Sequence, residues 1–214
     1  PEDNLVLRAA RLLRGDRGSG ARIRLDKRIP AGGGLGGGSS DAATTLLVLN
    51  NLWQLGHSDE VLQSIGRDLG ADVPVFIAGH SAWAEGVGER LTPIDLPERW
   101  YLVLCPDCHV ATGEIFSRPE LTRNTPPITM AAFFAGDSRN DCQPVVRNLY
   151  PEVDNALIWL EKMGDARLTG TGACVFASFQ SRADADAVQQ QMPAGWKAFV
   201  ARGVNRSPVL EQLV

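Results

Sequence analysis

Apolar side chains recur along this chain at two periods, and the switch from one to the other predicts its elements. Behind Asn4, a favoured N-cap residue, Leu5, Ala9, Leu12 and Leu13 mark one face of a helix. Residues 14–20 are polar and glycine-containing and predict a turn. From 21 to 29 the apolar Ala21, Ile23 and Leu25 alternate with charged residues, which predicts a strand with one face in a core. After a glycine-rich stretch, Ala42, Ala43, Leu46, Leu47, Leu49 and Trp53 return at helical spacing, in a helix read from Ser39 to near Gly56. Ser58, Asp59 and Glu60 open a further helix with Val61, Ile65 and Leu69 expected inward and Gly70 as its stop.

The second half alternates differently. Residues 81–93 read as two short strands joined through Glu85-Gly86-Val87-Gly88-Glu89, 101–104 as another strand, and 112–116 as a short helix. The stretch 119–139 is irregular, with Pro, Thr and Phe, and is a candidate substrate-facing or mobile segment. Asn140-Asp141 is expected to cap one long helix carrying Val145, Val146, Leu149, Val153, Leu157 and Leu160. A glycine turn within 167–177 leads into an apolar strand, and a helix over 182–192 and a strand over 196–200 close the chain. Strand, helix, helix, strand, helix, strand predicts an α+β architecture with helices on one face of a mostly antiparallel sheet.

Between the alternating stretch and the helix after it lies Pro30-Ala31-Gly32-Gly33-Gly34-Leu35-Gly36-Gly37-Gly38-Ser39-Ser40. Six of the nine residues from 32 to 40 lack a side chain, so the backbone reaches positive φ and a bulky ligand can approach its amides. With two hydroxyls and a helix N-terminus following, this is the physical recipe for holding a polyphosphate. A flexible linker would not run straight into a strong helix, and a Walker loop would end in Gly-Lys-Ser/Thr, which is absent here. A dinucleotide fingerprint matches formally at Gly32, Gly34 and Gly37, but the stretch before it alternates and a second helix follows, so that match is read as accidental. Farther on, Asp72 sits between Gly70-Ala71 and Val73-Pro74, where it is either a helix cap or a carboxylate aimed at a ligand; spacing leaves both open.

Composition narrows the partners. The 214 residues make one large domain or two small ones, 44% hydrophobic and 21% charged. A net charge of −4 offers nothing to nucleic acid or an anionic membrane, so any anionic ligand must be captured locally. No apolar run approaches the roughly 20 residues of a membrane helix. Cysteines at 105, 108, 142 and 174, with no signal-peptide pattern, point to a reduced cytoplasmic setting. Cys105-Pro106-Asp107-Cys108-His109 lacks the second ligand pair of a zinc site and follows a strand rather than opening a helix, so these cysteines are read as structural or incidental.

Three ordered stretches, residues 30–43, Gly70-Ala71-Asp72-Val73-Pro74-Val75-Phe76 and residues 168–175, resemble the motifs of the galactokinase, homoserine kinase, mevalonate kinase and phosphomevalonate kinase (GHMP) superfamily. Within it, the doubled glycine triplet, the segments 85–89 and Ile115-Phe116, and Asn140-Asp141-Cys142 are similar to the branch acting in the non-mevalonate isoprenoid precursor pathway. The resemblance runs from 4 to 208. It implies a two-lobed α+β fold with a ferredoxin-like second half: residues 1–95 as the remainder of an N-terminal ATP-binding domain, 96–214 as a C-terminal domain. It also implies phosphorylation of the 2-hydroxyl of CDP-methylerythritol by ATP with Mg2+, in the cytoplasm, with neither nucleic acid nor membrane as partner.

Carried over by position, the resemblance makes Pro30, Ala31, Gly32, Gly33, Gly34, Leu35, Gly36, Gly37, Gly38, Ser39 and Ser40 the wrap around the ATP phosphates, with Ser39 or Ser40 near the magnesium. Asp72 becomes the base that takes the hydroxyl proton. Thr112 and Phe116 contact the cytidine end, Phe116 by stacking, and Gly170, Thr171 and Gly172 border the transferred phosphate. No protein ligand of the metal is assigned. Relatives begin with a strand-rich segment that supplies a catalytic lysine and a Tyr-His pair; this chain opens at Pro1-Glu2-Asp3-Asn4, so the 214 residues alone are expected to be inactive or unstable. A nucleotide-binding module without turnover and a related kinase for another small alcohol stand as the competing functions.

Overall fold

The computed structural model describes residues 4–15, 20–86, 88 and 90–213. Its elements in chain order are α1 (Leu5–Arg14), α2 (Gly37–Leu52), α3 (Asp59–Arg67), α4 (Val73–Ala78), β1 (Ala82–Glu85), β2 (Arg90–Pro93), β3 (Trp100–Cys105), α5 (Thr112–Ser117), α6 (Met130–Phe134), α7 (Cys142–Leu149), α8 (Pro151–Glu161), β4 (Ala166–Leu168), β5 (Val175–Phe179), α9 (Arg182–Gln189), β6 (Lys197–Arg202) and α10 (Pro208–Glu211). They divide into two compact units, one of Pro1–Arg28, Gly36–Pro97 and Val204–Val214, the other of Ile29–Leu35 and Glu98–Gly203.

The first unit is built on α2. Ala42, Leu46 and Leu49 of that helix are buried with Ala9 and Leu13 of α1, Leu62 of α3 and Val73 and Ile77 of α4. Each fully buried Leu or Ile contributes about 1.5–3 kcal/mol relative to exposure. Asn4 accepts from the Val6 amide and caps α1 as its sequence predicts. Two helix faces are corrected: α1 turns Val6 inward and leaves Leu12 exposed, and α3 turns Leu62 inward and leaves Val61 exposed. Neighbouring apolar positions compete for the interior, and the partner helix decides between them. The strand expected over 21–29 is also absent; residues 20–28 pair with no strand among the described residues, and Ile23 and Leu25 are exposed. Alternation marks two faces of an extended chain but supplies no partner for a ladder. β1 and β2 form the expected antiparallel hairpin, Ala82 opposite Pro93. Its turn, like the 14–20 turn, lies partly outside the described residues.

In the second unit the sheet order is β4-β5-β3-β6, every pair antiparallel. This is the βαββαβ order of a ferredoxin-like sheet, as the sequence predicts. Leu102, Leu104, Val175 and Ala177 turn one way and bury themselves with Val146 of α7 and Val153, Leu157 and Leu160 of α8. Val103, Cys105, Cys174, Phe176 and Phe199 turn the other way and pack with Leu35. The single long helix expected after Asn140 is two: Tyr150 is extended, φ −126° and ψ 90°, and Pro151 opens α8. A proline drives the residue before it out of the helical region. The irregular stretch 119–139 contains α6, opened by the Thr129 hydroxyl accepting from the Ala132 amide.

Candidate active site

In the second unit, the first part of the glycine stretch is held by the turn between β4 and β5. The Gly32 carbonyl accepts from the Ala173 amide at 3.3 Å and that of Gly33 from the Cys174 amide at 3.1 Å. The Gly34 carbonyl accepts from the Thr169 hydroxyl at 2.7 Å. Side chains are excluded on this path. A Cβ on Gly32 would lie 2.8 Å from His109 Nδ1, one on Gly33 2.7 Å from Cys174 Sγ, and one on Gly34, at φ +71°, would overlap the Thr169 carbonyl. Among the described residues no amide from Ala31 to Ser39 donates to a protein acceptor. A row of amides with engaged carbonyls and uncommitted N–H groups is suited to anionic oxygens.

The same turn carries Gly170, Thr171 and Gly172. Thr171 is buried and its hydroxyl lies 2.9 Å from that of Thr112, at the start of α5. Ile115 anchors α5 in the core, while Phe116 on the same helix is 56% exposed. An aromatic ring so exposed is not packing the interior and is available to stack on a planar ligand. The Arg123 guanidinium grips the C-terminal end of α5, donating to the carbonyls of Phe116 at 2.6 Å and Arg118 at 3.0 Å. Glu114, held below the usual carboxylate range by Arg118 first and by the Tyr150 hydroxyl next, ties α5 to the end of α7.

In the first unit, Gly36 adopts the left-handed conformation, φ 65° and ψ 12°, and α2 begins immediately after it with Gly37, Gly38, Ser39 and Ser40. The Ser40 amide donates to the Gly36 carbonyl at 2.8 Å, so this is a true helix start with its positive dipole end at the glycines. Asp41 is not free: Lys27 Nζ lies 2.5 Å from its carboxylate. Asp72 stands at the head of α4, exposed, and its side chain makes no cap hydrogen bond. Its backbone is fixed nonetheless, because Val73 and Ile77 are fully buried against Gly66, where a Cβ would lie within 2.9 Å of both. A Cβ on Gly70 would come 4.0 Å from the Ser39 hydroxyl, so the chain leading to Asp72 passes beside the start of α2.

All four cysteines are free. Cys105 and Cys174 face each other across the sheet: their hydrogen bond, with burial adding to it, holds Cys174 firmly as a thiol and lowers Cys105 against its own burial. Among the described residues no group of three or more His, Cys, Asp or Glu could hold a metal ion. Sequence inspection did not single out His109, Cys174 or Thr169 as neighbours of the glycine stretch. Thr169 lies in the 168–175 stretch read as a family motif, but nothing local marks its bond to Gly34, 135 residues away.

Residues 4–80 match the GHMP kinases N terminal domain and residues 128–198 the GHMP kinases C terminal domain. A 4-diphosphocytidyl-2-C-methyl-D-erythritol kinase of Pseudomonas aeruginosa (strain UCBPP-PA14) is 58% identical over 99% of this chain and 76% of its own length. One from Alkalilimnicola ehrlichii is 55% identical over the whole of this chain and 74% of its own. A crystal structure of 4-(cytidine 5'-diphospho)-2C-methyl-D-erythritol kinase superposes with a TM-score of 0.78 at 34% identity, covering 94% of this chain and 78% of that one. Methanococcus jannaschii mevalonate kinase, at 14% identity and a TM-score of 0.62, shares the fold.

Proposed function

Because the chain belongs to the 4-diphosphocytidyl-2-C-methyl-D-erythritol kinases of the GHMP kinase family, we propose that its glycine stretch, Asp72 and the β4–β5 turn carry out that family's phosphoryl transfer. The enzyme is an ATP-dependent small-molecule kinase that phosphorylates the 2-hydroxyl of 4-diphosphocytidyl-2-C-methyl-D-erythritol in the isoprenoid precursor pathway. Phosphoryl transfer asks a protein for alignment and for relief of charge on the phosphoryl oxygens. Residues 30–40 are assigned to the ATP phosphates, and the uncommitted amides from Ala31 to Ser39 are the observation that carries this assignment. Asp72 accepts the hydroxyl proton as the acceptor oxygen bonds to the γ-phosphorus and the bridging oxygen leaves with ADP. Its carboxylate caps nothing and is free for that role.

Gly170, Thr171 and Gly172 are assigned to the border of the transferred group, and Thr112 and Phe116 to the cytidine end, the exposed Phe116 ring stacking on the base. Mg2+ suits hard oxygen donors and keeps much of its coordination for phosphates and water, which fits the hydroxyls of Ser39 and Ser40 better than a protein cage. When bound, it would neutralise charge between the phosphates. No helix among the described residues is long and apolar enough to cross a membrane, and four free cysteines support a cytoplasmic setting.

Incubating the full-length enzyme with ATP, Mg2+ and 4-diphosphocytidyl-2-C-methyl-D-erythritol, and following 31P NMR, will show one new phosphomonoester per ADP formed. Nucleotide binding without ADP release, or phosphorylation of mevalonate or homoserine in preference to this acceptor, would overturn the assignment.

A further inference from the structure

Asn140 has no part in the roles assigned above, yet its side chain is fully engaged. The amide donates to the carbonyl of Gly170 at 2.7 Å and to that of Leu168 at 3.1 Å. Its Oδ1 accepts from the Cys142 amide at 2.9 Å, just ahead of α7. Gln143, within the first turn of α7, accepts from the Leu168 amide at 2.8 Å. The start of α7 therefore grips the end of β4 and the turn that follows it. That turn needs an outside grip, because Gly170 and Gly172 sit at φ +55° and +89° and carry no side chain of their own to anchor them. The same turn supplies the Thr169 hydroxyl and the Ala173 and Cys174 amides that hold the carbonyls of Gly34, Gly32 and Gly33.

We infer that Asn140 is a positioning residue for nucleotide binding: it fixes the β4–β5 turn, and the turn fixes residues 32–34 with their amides open. This rests on the phosphate-binding role proposed for residues 30–40. The rival explanation is that Asn140 only opens α7. The two differ in which atom matters, since opening the helix uses Oδ1 and positioning uses the amide nitrogen.

Asn140→Ser and Asn140→Asp separate them, because both residues accept well from an amide two residues on, while the carboxylate has no donor and the shorter serine hydroxyl has one proton where the amide donates two. Two readouts suffice: calorimetric affinity for a non-hydrolysable ATP analogue with Mg2+, and hydrogen exchange at the amides of Ala173 and Cys174. Positioning predicts affinity weakened roughly tenfold or more in both variants, with the aspartate worse because its carboxylate faces two carbonyls. It also predicts faster exchange at both amides. Affinity within twofold of the parent in both variants would overturn the inference, whatever the exchange shows. Neither readout needs an acceptor, so a wrong acceptor would appear in the product assay and leave this test standing.

Discussion

In the full-length enzyme Asp72→Asn will lower kcat by about 10²- to 10⁴-fold, the ordinary worth of a general base, while KM for ATP stays within a few-fold. Asparagine keeps the size and hydrogen-bonding reach of the carboxylate but cannot take the hydroxyl proton. The change has little structural cost to confuse the result. Asp72 is exposed and its side chain caps nothing, and asparagine is as good as aspartate at a helix start. The backbone of α4 stays anchored by the buried Val73 and Ile77. ATP affinity is assigned to backbone amides, which the substitution leaves alone. Steady-state kinetics with both substrates varied will check this; a kcat within a few-fold of the parent would remove Asp72 from the role of base.

Gly34→Ala will cost at least about 10² in kcat/KM for ATP, because small misplacements of aligned groups are that expensive. Two penalties coincide at this position. Its φ of +71° strains any residue with a Cβ, and that Cβ would overlap the Thr169 carbonyl and lie 2.9 Å from the carbonyl of Gly172. Both obstacles are backbone, so no side chain can swing away. The loop must shift, and the bond from Thr169 to the Gly34 carbonyl shifts with it. Gly20→Ala is the matched control, since a Cβ there meets nothing within 4 Å; it should leave the kinetics within twofold. Equal behaviour of the two variants would mean that the conformation of residues 32–34 does not govern nucleotide use.

The sequence made legible whatever depends on neighbours in the chain. Asn4 caps α1, Gly36 precedes a helix, and the succession of strands and helices after Trp100 builds a ferredoxin-like sheet because each period forces its element. Features that depend on distant partners were not legible. Val6 rather than Leu12 faces inward because of where α2 lies, and residues 20–28 stay unpaired because alternation supplies no neighbouring strand. The break between α7 and α8 was available in Pro151, whose effect on Tyr150 is local, and an apolar spacing continuing through it concealed the break. At the site, glycine content announced the loop. That Thr169, Cys174 and His109 enforce those glycines followed only from the fold, since each reaches them across a long stretch of chain.

In the proposed mechanism, backbone amides from Ala31 to Ser39 bind the triphosphate and deliver its terminal group to a hydroxyl held by Asp72. A crystal structure of the enzyme with a non-hydrolysable ATP analogue and 4-diphosphocytidyl-2-C-methyl-D-erythritol tests it directly. The account predicts phosphate oxygens accepting from amides between Ala31 and Ser39, and the acceptor 2-hydroxyl about 2.6–3.2 Å from an Asp72 oxygen. Phosphates bound elsewhere, or an Asp72 carboxylate turned away from that hydroxyl, would contradict it.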